Sequence, residues 1–125
     1  MKLKLSVLNY SLGVCRLDEK NSIPQWAFNS KFFSITKTQE ELSIVCREDI
    51  IPNHIKFEGH WRALKVEGPL DFSLIGILAS ISSVLASANI SIFALSTFDT
   101  DYILLKEDNL NKALEVLDNN GYEII

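Results

Sequence analysis

The sequence predicts an α+β fold in which two helices cover one face of an antiparallel sheet. The chain has 125 residues, 47% of them apolar and 22% charged, which is enough to build a sizeable core. From residue 63 onward, the patterns run strand, helix, strand, strand, helix, strand, which is the order of a ferredoxin-like βαββαβ unit. Before residue 63 the runs are mostly strand-like. We therefore expect a β-rich half at 1–60, followed by the ferredoxin-like unit at 61–125.

Strand patterns dominate the first half. Residues 3–8 and 12–17 favour two strands joined by a turn, and 32–36 and 42–46 favour a hairpin around a polar turn. A single helical turn is expected at 23–28.

Residues 48–51 begin like a helix, but Pro52 cannot continue one. We expect residues 54–60, which end in Gly59 and His60, to be a connection.

The second half alternates between two periodicities. In order, we expect a strand at 63–67, a helix at about 72–88, strands at 90–97 and 102–106, a helix after Asp108 as its N-cap, and a strand at 122–125. Asn120-Gly121 is a left-handed helix-ending signal.

Residues 74–98 carry no charge and are long enough to cross a bilayer. Serines interrupt this stretch and its periodicity changes halfway, so we expect a buried helix and then a buried strand, with no membrane partner. One side of that helix is small and uncharged, with Gly76, Ser80, Ser83 and Ser87. Either this side contacts another subunit, or it is a serine-rich exposed face.

The two halves share a weak internal repeat. Residues 33–36 resemble 93–96, and 44–49 resemble 103–108, with acidic residues in both intervening turns. Duplication with a degraded first copy explains this pattern, and chance similarity between two hairpins is the alternative.

Charge and cysteine content narrow the class of protein. The net charge is −4 and no stretch combines clustered Lys/Arg with aromatic residues, so we expect no nucleic-acid partner. Cys15 and Cys46 form no metal-binding spacing, and we interpret them as small buried hydrophobes. So few cysteines favour a reducing compartment, and the N-terminus has a strand pattern rather than that of a signal peptide, which predicts a cytoplasmic protein.

No motif of a known reaction is present. A phosphate-binding loop of the acylphosphatase type needs an arginine, and residues 68–76 contain no basic residue. His54 and His60 have no ligand cluster around them. We expect no catalytic residue, no metal and no cofactor.

The features that remain suit ligand binding. Residues 68–73 lead from a strand into a helix, whose free N–H groups can hold a carboxylate. The acceptors for an ammonium group are Asp71, Asp99 and Asp101, with the hydroxyls of Ser96, Thr97 and Thr100. Together these groups suit a zwitterion such as a free amino acid, although Asp71 as an N-cap and Asp99 as a turn residue are the simpler readings.

The second half resembles the ACT domain, an amino-acid-binding regulatory module. The resemblance is carried by Val66-Glu67-Gly68-Pro69, Gly76-Ile77-Leu78-Ala79, Leu85-Ala86 and Ile90-Ser91-Ile92. The chain is similar above all to stand-alone tandem ACT proteins, of the type that resembles the regulatory region of aspartokinase and cytosolic arginine sensors. In these, stretches like 61–68 and 96–102 enter the second ACT unit and join its middle strands. The resemblance is strong over 61–125, the ACT domain, and looser over 1–60, which it identifies as a degenerate ACT-like unit.

The resemblance implies non-catalytic regulation by an amino acid bound between ACT units, in a homodimer with a possible regulated protein partner. An ACT-type interaction module without a ligand is the alternative. The implied binding residues are Asp71, Phe72, Ser73, Leu74 and Ile75 in the loop, and Ile92, Phe93, Ala94, Ser96, Thr97, Asp99 and Asp101 in the following strand and turn.

Overall fold

The fold is α+β, as predicted. The computed structural model describes residues 3–67 and 76–125. Its elements are β1 (Lys4–Val7), β2 (Leu12–Leu17), β3 (Ser34–Lys37), β4 (Leu42–Arg47), β5 (Phe57–Val66), α1 (Ile77–Ser87), β6 (Phe93–Ser96), β7 (Asp101–Lys106), α2 (Leu110–Asn119) and β8 (Glu123–Ile124). Short 3-10 turns lie at Gln25–Asn29, Glu48–Ile50 and Glu107–Asn109.

The chain divides into two compact units. The strand-rich unit is Tyr10–Trp61, and the helical unit joins Met1–Asn9 to Arg62–Ile125. The predicted halves were contiguous, whereas the helical unit contains both ends of the chain. The reason is strand pairing, since β1 lies antiparallel to β5 and parallel to β8.

The helical unit has the strand order β8-β1-β5-β7-β6. From β5 onward it follows the ferredoxin-like order, with β1 inserted between β5 and β8. Both helices contribute to its core, because their apolar stripes meet alternate residues of the strands. The buried core residues are Leu5, Leu64, Val66, Ile81, Leu85, Ile90, Ile103, Leu105, Ala113, Leu117 and Tyr122.

Both helices end in the same way. Asn89 (φ 62°) and Gly121 (φ 93°) adopt the left-handed conformation. The next residue then donates its N–H back into the helix, Ile90 to Leu85 O at 3.0 Å and Tyr122 to Leu117 O at 3.1 Å. The predicted ending at Asn120-Gly121 is confirmed. The strand predicted from residue 90 starts only at Phe93, because Ile90 belongs to the helix ending.

The predicted start of the first helix, at about residue 72, lies outside the described residues. Within them, α1 begins at Ile77, since Gly76 has φ 79°, outside the helical region. The predicted N-cap of the second helix is wrong. Asp108 lies inside a 3-10 turn, and Asn109 is the residue that precedes α2.

The strand-rich unit has the order β3-β4-β2-β5, with residues 57–61 of β5. Its connections contain only 3-10 turns, whereas the corresponding connections of the helical unit contain α1 and, after the 3-10 turn Glu107–Asn109, α2. Its buried core residues are Cys15, Leu17, Ala27, Leu42, Ile44, Cys46 and Ile51.

The predicted connection at 54–60 is wrong from Phe57 onward, because β5 starts there. Phe57, Glu58 and His60 are exposed, and His60 has a positive φ of 63°. The pairing register shifts between Leu12 and Val14 of β2. An irregular strand of this kind does not show the alternation on which strand prediction depends.

Both cysteines are buried and free, as expected for small apolar residues. They lie on the paired strands β2 and β4, where Cys15 faces Ile44 and Cys46 faces Gly13. A hydrogen bond to Cys15, together with burial, raises the pKa of the Cys46 thiol well above its ordinary value. A thiol in this state is a poor nucleophile.

In the described part of the chain, no helix has the length and apolar character needed to cross a bilayer.

Candidate ligand-binding site

The predicted site has two parts, and the structure describes one of them. Asp71, Phe72, Ser73, Leu74 and Ile75 lie outside the described residues. The other part follows α1 on β6 and the turn into β7.

β6 places its predicted residues on different faces. Ile92, just before the strand, is half-buried and packs against the core of the helical unit. Phe93 pairs with Leu104 and Ala94 with Ile103. Successive residues of a strand point to opposite faces, so Phe93 and Ala94 cannot both face the same ligand.

The β6–β7 turn gathers the predicted polar residues. Ser96 and Asp101 form the last register pair of the hairpin, and Ser96 Oγ donates to Asp101 Oδ1 at 2.6 Å. Thr97 N donates to Thr100 O at 2.8 Å, which closes the turn. Thr97 and Asp99 are exposed. The turn therefore brings Ser96, Thr97, Asp99 and Asp101 together.

Thr100 does not join the polar side chains that the sequence predicts around the ligand's ammonium group. It is buried, with 7% of its surface exposed, and its hydroxyl donates to the carbonyl oxygen of Val66 at the end of β5. Sequence patterns do not reveal a hydroxyl that bonds so far along the chain.

All charged side chains near the β6–β7 turn in the sequence are acidic. Residues 92–105 contain no Lys or Arg, while Asp99 and Asp101 supply two carboxylates. A carboxylate has about four lone-pair sites, so Asp101 keeps acceptor capacity beyond its bond to Ser96. Such a hairpin can accept hydrogen bonds from an ammonium or guanidinium group.

A metal is a poor fit for this arrangement. Within residues 3–67 and 76–125, no three or more His, Cys, Asp or Glu side chains come close enough together to hold a metal ion.

The small side of α1 is partly exposed. Ala79, Ser83 and Ser87 are exposed, and the whole helix carries no charged residue. The Ser80 hydroxyl forms a hydrogen bond with the hydroxyl of Tyr122, so Ser80 also ties α1 to the residue before β8.

Two protein-family models match the chain. The ACT domain model matches residues 56–119. A model of an N-terminal domain matches residues 10–54.

The chain is similar to proteins named cytosolic arginine sensor for mTORC1 subunit 1. The Homo sapiens protein is 43% identical over 58 residues, which cover 46% of this chain and 18% of that protein. The Mus musculus protein is 31% identical over 107 residues, covering 79% and 30%. The chain thus spans less than a third of the length of these relatives.

Among solved structures, a protein from Agrobacterium tumefaciens has a TM-score of 0.94 at 40% identity, covering 100% of this chain and 93% of that one. The alpha and beta subunits of aspartokinase give a TM-score of 0.64 at 14% identity, covering 95% and 97%. The ligand-free regulatory subunit of aspartate kinase from Thermus thermophilus gives 0.63 at 10% identity, also covering 95% and 97%. The two aspartokinase structures share the fold of this chain.

Proposed function

This chain belongs to the ACT domain family, and on that premise we propose that it is a non-catalytic regulatory protein that binds a free amino acid. The loop at 71–75 would hold the ligand carboxylate, and the β6–β7 turn would hold its ammonium group. Binding would signal through a change in assembly or in contact with a protein partner.

The observation that carries this proposal is the acidic β6–β7 turn. Asp99 is exposed at its tip, and Asp101 is oriented by the Ser96 hydroxyl. A pre-oriented carboxylate loses little conformational freedom when it binds a cation. Arginine is the first ligand to test, because the relatives named above are arginine sensors and residues 92–105 contain two carboxylates and no Lys or Arg that would repel a second cationic group.

The ligand would lie at an interface between ACT units, with a second copy of the chain in a homodimer supplying the other side. We place the protein in the cytoplasm, because the relatives are named as cytosolic sensors. Sedimentation with and without the ligand tests whether assembly changes on binding.

Thermal unfolding against each common amino acid at millimolar concentration tests the proposal. A ligand present at ~100 times its Kd stabilises the folded state by about 2.7 kcal/mol. That raises the Tm by several degrees for a chain of this size. We expect one selective shift, with arginine the first candidate.

A matched pair of variants locates the site. Asp101→Asn should weaken binding at least about tenfold, since a charged partner is lost. Glu115→Gln removes a negative charge from an exposed position of α2 in the same unit and should leave the Kd unchanged. No shift with any amino acid, or equal effects of both substitutions, would argue against the proposal.

The uncharged exposed side of α1 favours a second candidate, an ACT-type interaction module without a ligand. Ser83→Arg places a charge on that face, while Glu115→Arg changes charge on α2. If Ser83→Arg alone converts a dimer into monomers and no amino acid binds, the interaction module is the better description.

A further inference from the structure

One buried side chain of the β6–β7 turn, that of Thr100, reaches the end of β5, in addition to the pairing of β7 with β5. Thr100 is 7% exposed, whereas its neighbours Thr97, Phe98 and Asp99 are all exposed. Its hydroxyl donates to the carbonyl oxygen of Val66. A buried hydroxyl needs a partner, and here the partner belongs to a different strand.

The peptide group that Thr100 reaches is held from both sides. Its carbonyl belongs to Val66, and its N–H, on Glu67, donates to Lys4 O of β1 at 2.8 Å. Thr100 cannot hold that carbonyl with its own main-chain N–H, because that N–H donates to Thr97 Oγ1 at 3.2 Å. The hydroxyl therefore supplies the bond, just ahead of the first ladder residue of β7.

The strand-rich unit contains the same turn without this bond. Thr38 N donates to Glu41 O at 2.9 Å, and Glu41 N donates to Thr38 Oγ1 at 3.2 Å. These are the counterparts of the bonds between Thr97 and Thr100. Glu41, in the position of Thr100, cannot donate a hydrogen bond when ionised. Closing the turn thus does not require a hydroxyl at the last position.

We propose that Thr100 is a positioning residue that fixes the acidic turn to the Val66–Glu67 peptide at the end of β5. The inference rests on the proposed function. Asp99 and Asp101 flank Thr100 in the sequence, so an anchor at Thr100 acts on both carboxylates. The hydroxyl thereby fixes the position of these two carboxylates relative to the end of β5.

The test compares two substitutions that differ by one hydroxyl. Thr100→Val keeps the shape and loses the donor, whereas Thr100→Ser keeps the donor. For the amino acid that shifts the wild-type Tm, calorimetry should show Kd raised about tenfold or more by Thr100→Val and changed less than about threefold by Thr100→Ser. If Thr100→Val does not fold, Thr100→Ala replaces it.

Tyr122→Phe is the control. It also removes one buried hydroxyl bond from the helical unit, the one to Ser80, but on the side of the helices. We expect it to lower Tm without changing Kd. Equal Kd in wild type and Thr100→Val would overturn the positioning role, and so would equal losses in the serine and valine variants.

Amide hydrogen exchange separates this inference from the proposed function. In Thr100→Val, the Glu67 amide should exchange faster, while the amide of Leu105 in the core of the unit keeps its protection. If no amino acid binds to the wild type, the proposed function fails and the exchange result still decides on Thr100. Unchanged protection at Glu67 would show that the hydroxyl does not hold this peptide in place.

Discussion

The helical and strand-rich units follow the same order of elements, yet only one of them has helices. In the helical unit, α1 and α2 follow β5 and β7, and their side chains complete the core. In the strand-rich unit, the 3-10 turns Gln25–Asn29 and Glu48–Ile50 follow β2 and β4. The strand-rich unit thus keeps the order of strands but lacks the α-helices that cover the sheet in the helical unit.

Local sequence explains part of the difference. Pro52 comes soon after the second 3-10 turn, so that turn cannot extend through the proline as a regular helix. The connection at 48–56 is also shorter than the one at 107–122. The matching hairpins support a common origin, and the helices are the part that the strand-rich unit lacks.

The largest effect is expected from truncating a core leucine of the helical unit. Leu117 of α2 is fully buried, and Leu117→Ala should destabilise the protein by about 2–5 kcal/mol. The two units can be followed separately in one denaturant titration. Both helices lie in the helical unit and report by circular dichroism, while Trp26 and Trp61 lie in the strand-rich unit and report by fluorescence.

Because β5 runs unbroken through residues 61 and 62, we expect the two probes to give the same midpoint, so that Leu117→Ala lowers both. The control is Leu42→Ala in the strand-rich unit, where the leucine is equally buried. If each substitution moved only the probe of its own unit, the two units would unfold independently.

The helix endings give a smaller effect. Gly121→Ala puts a side chain at φ 93°, and this should cost about 1–2 kcal/mol. Gly121→Asn should cost less, because asparagine tolerates this conformation, as Asn89 does at the end of α1. Thermal unfolding of both variants checks the ranking, and equal losses would show that the left-handed conformation is not the cause.

The local parts of the fold were predictable from the sequence. The β3–β4 and β6–β7 hairpins and the Gly121 ending depend on neighbouring residues, and the sequence predicted them. The pairing of β1 with β5 was not predictable, because strand alternation does not identify a partner about sixty residues away. The start of β5 was missed because Gly59 and His60 interrupt its alternation.

In the candidate site, too, the features set by neighbouring residues were predictable and those set by distant contacts were not. Asp99 and Asp101 could be predicted as turn acceptors from their residue types and positions. The packing of Ile92 against the core could not, and neither could the opposite faces of Phe93 and Ala94, because both depend on where β6 begins. Thr100 was assigned to the ligand, since a hydroxyl in a polar turn gives no sign of a distant carbonyl partner.

The smallest effects concern equivalent glutamates that follow β4 and β7. Glu48 accepts the main-chain N–H of His60, whereas Glu107 lies 3.7 Å from the Arg62 guanidinium and is 46% exposed. Glu48→Ala should cost about 1 kcal/mol, because a main-chain donor loses its acceptor. The ion pair of Glu107 with Arg62 should contribute less, about 0.5 kcal/mol, since its carboxylate is nearly half exposed.

Urea unfolding at low and high salt separates the two contributions. Salt screens the Glu107 pair, so its small effect should disappear at about 1 M salt, while that of Glu48 should persist. A larger loss for Glu107→Ala than for Glu48→Ala would reverse the comparison. The turn after β7 would then be the more tightly held of the two, and the helical unit would depend on this turn as well as on its helices.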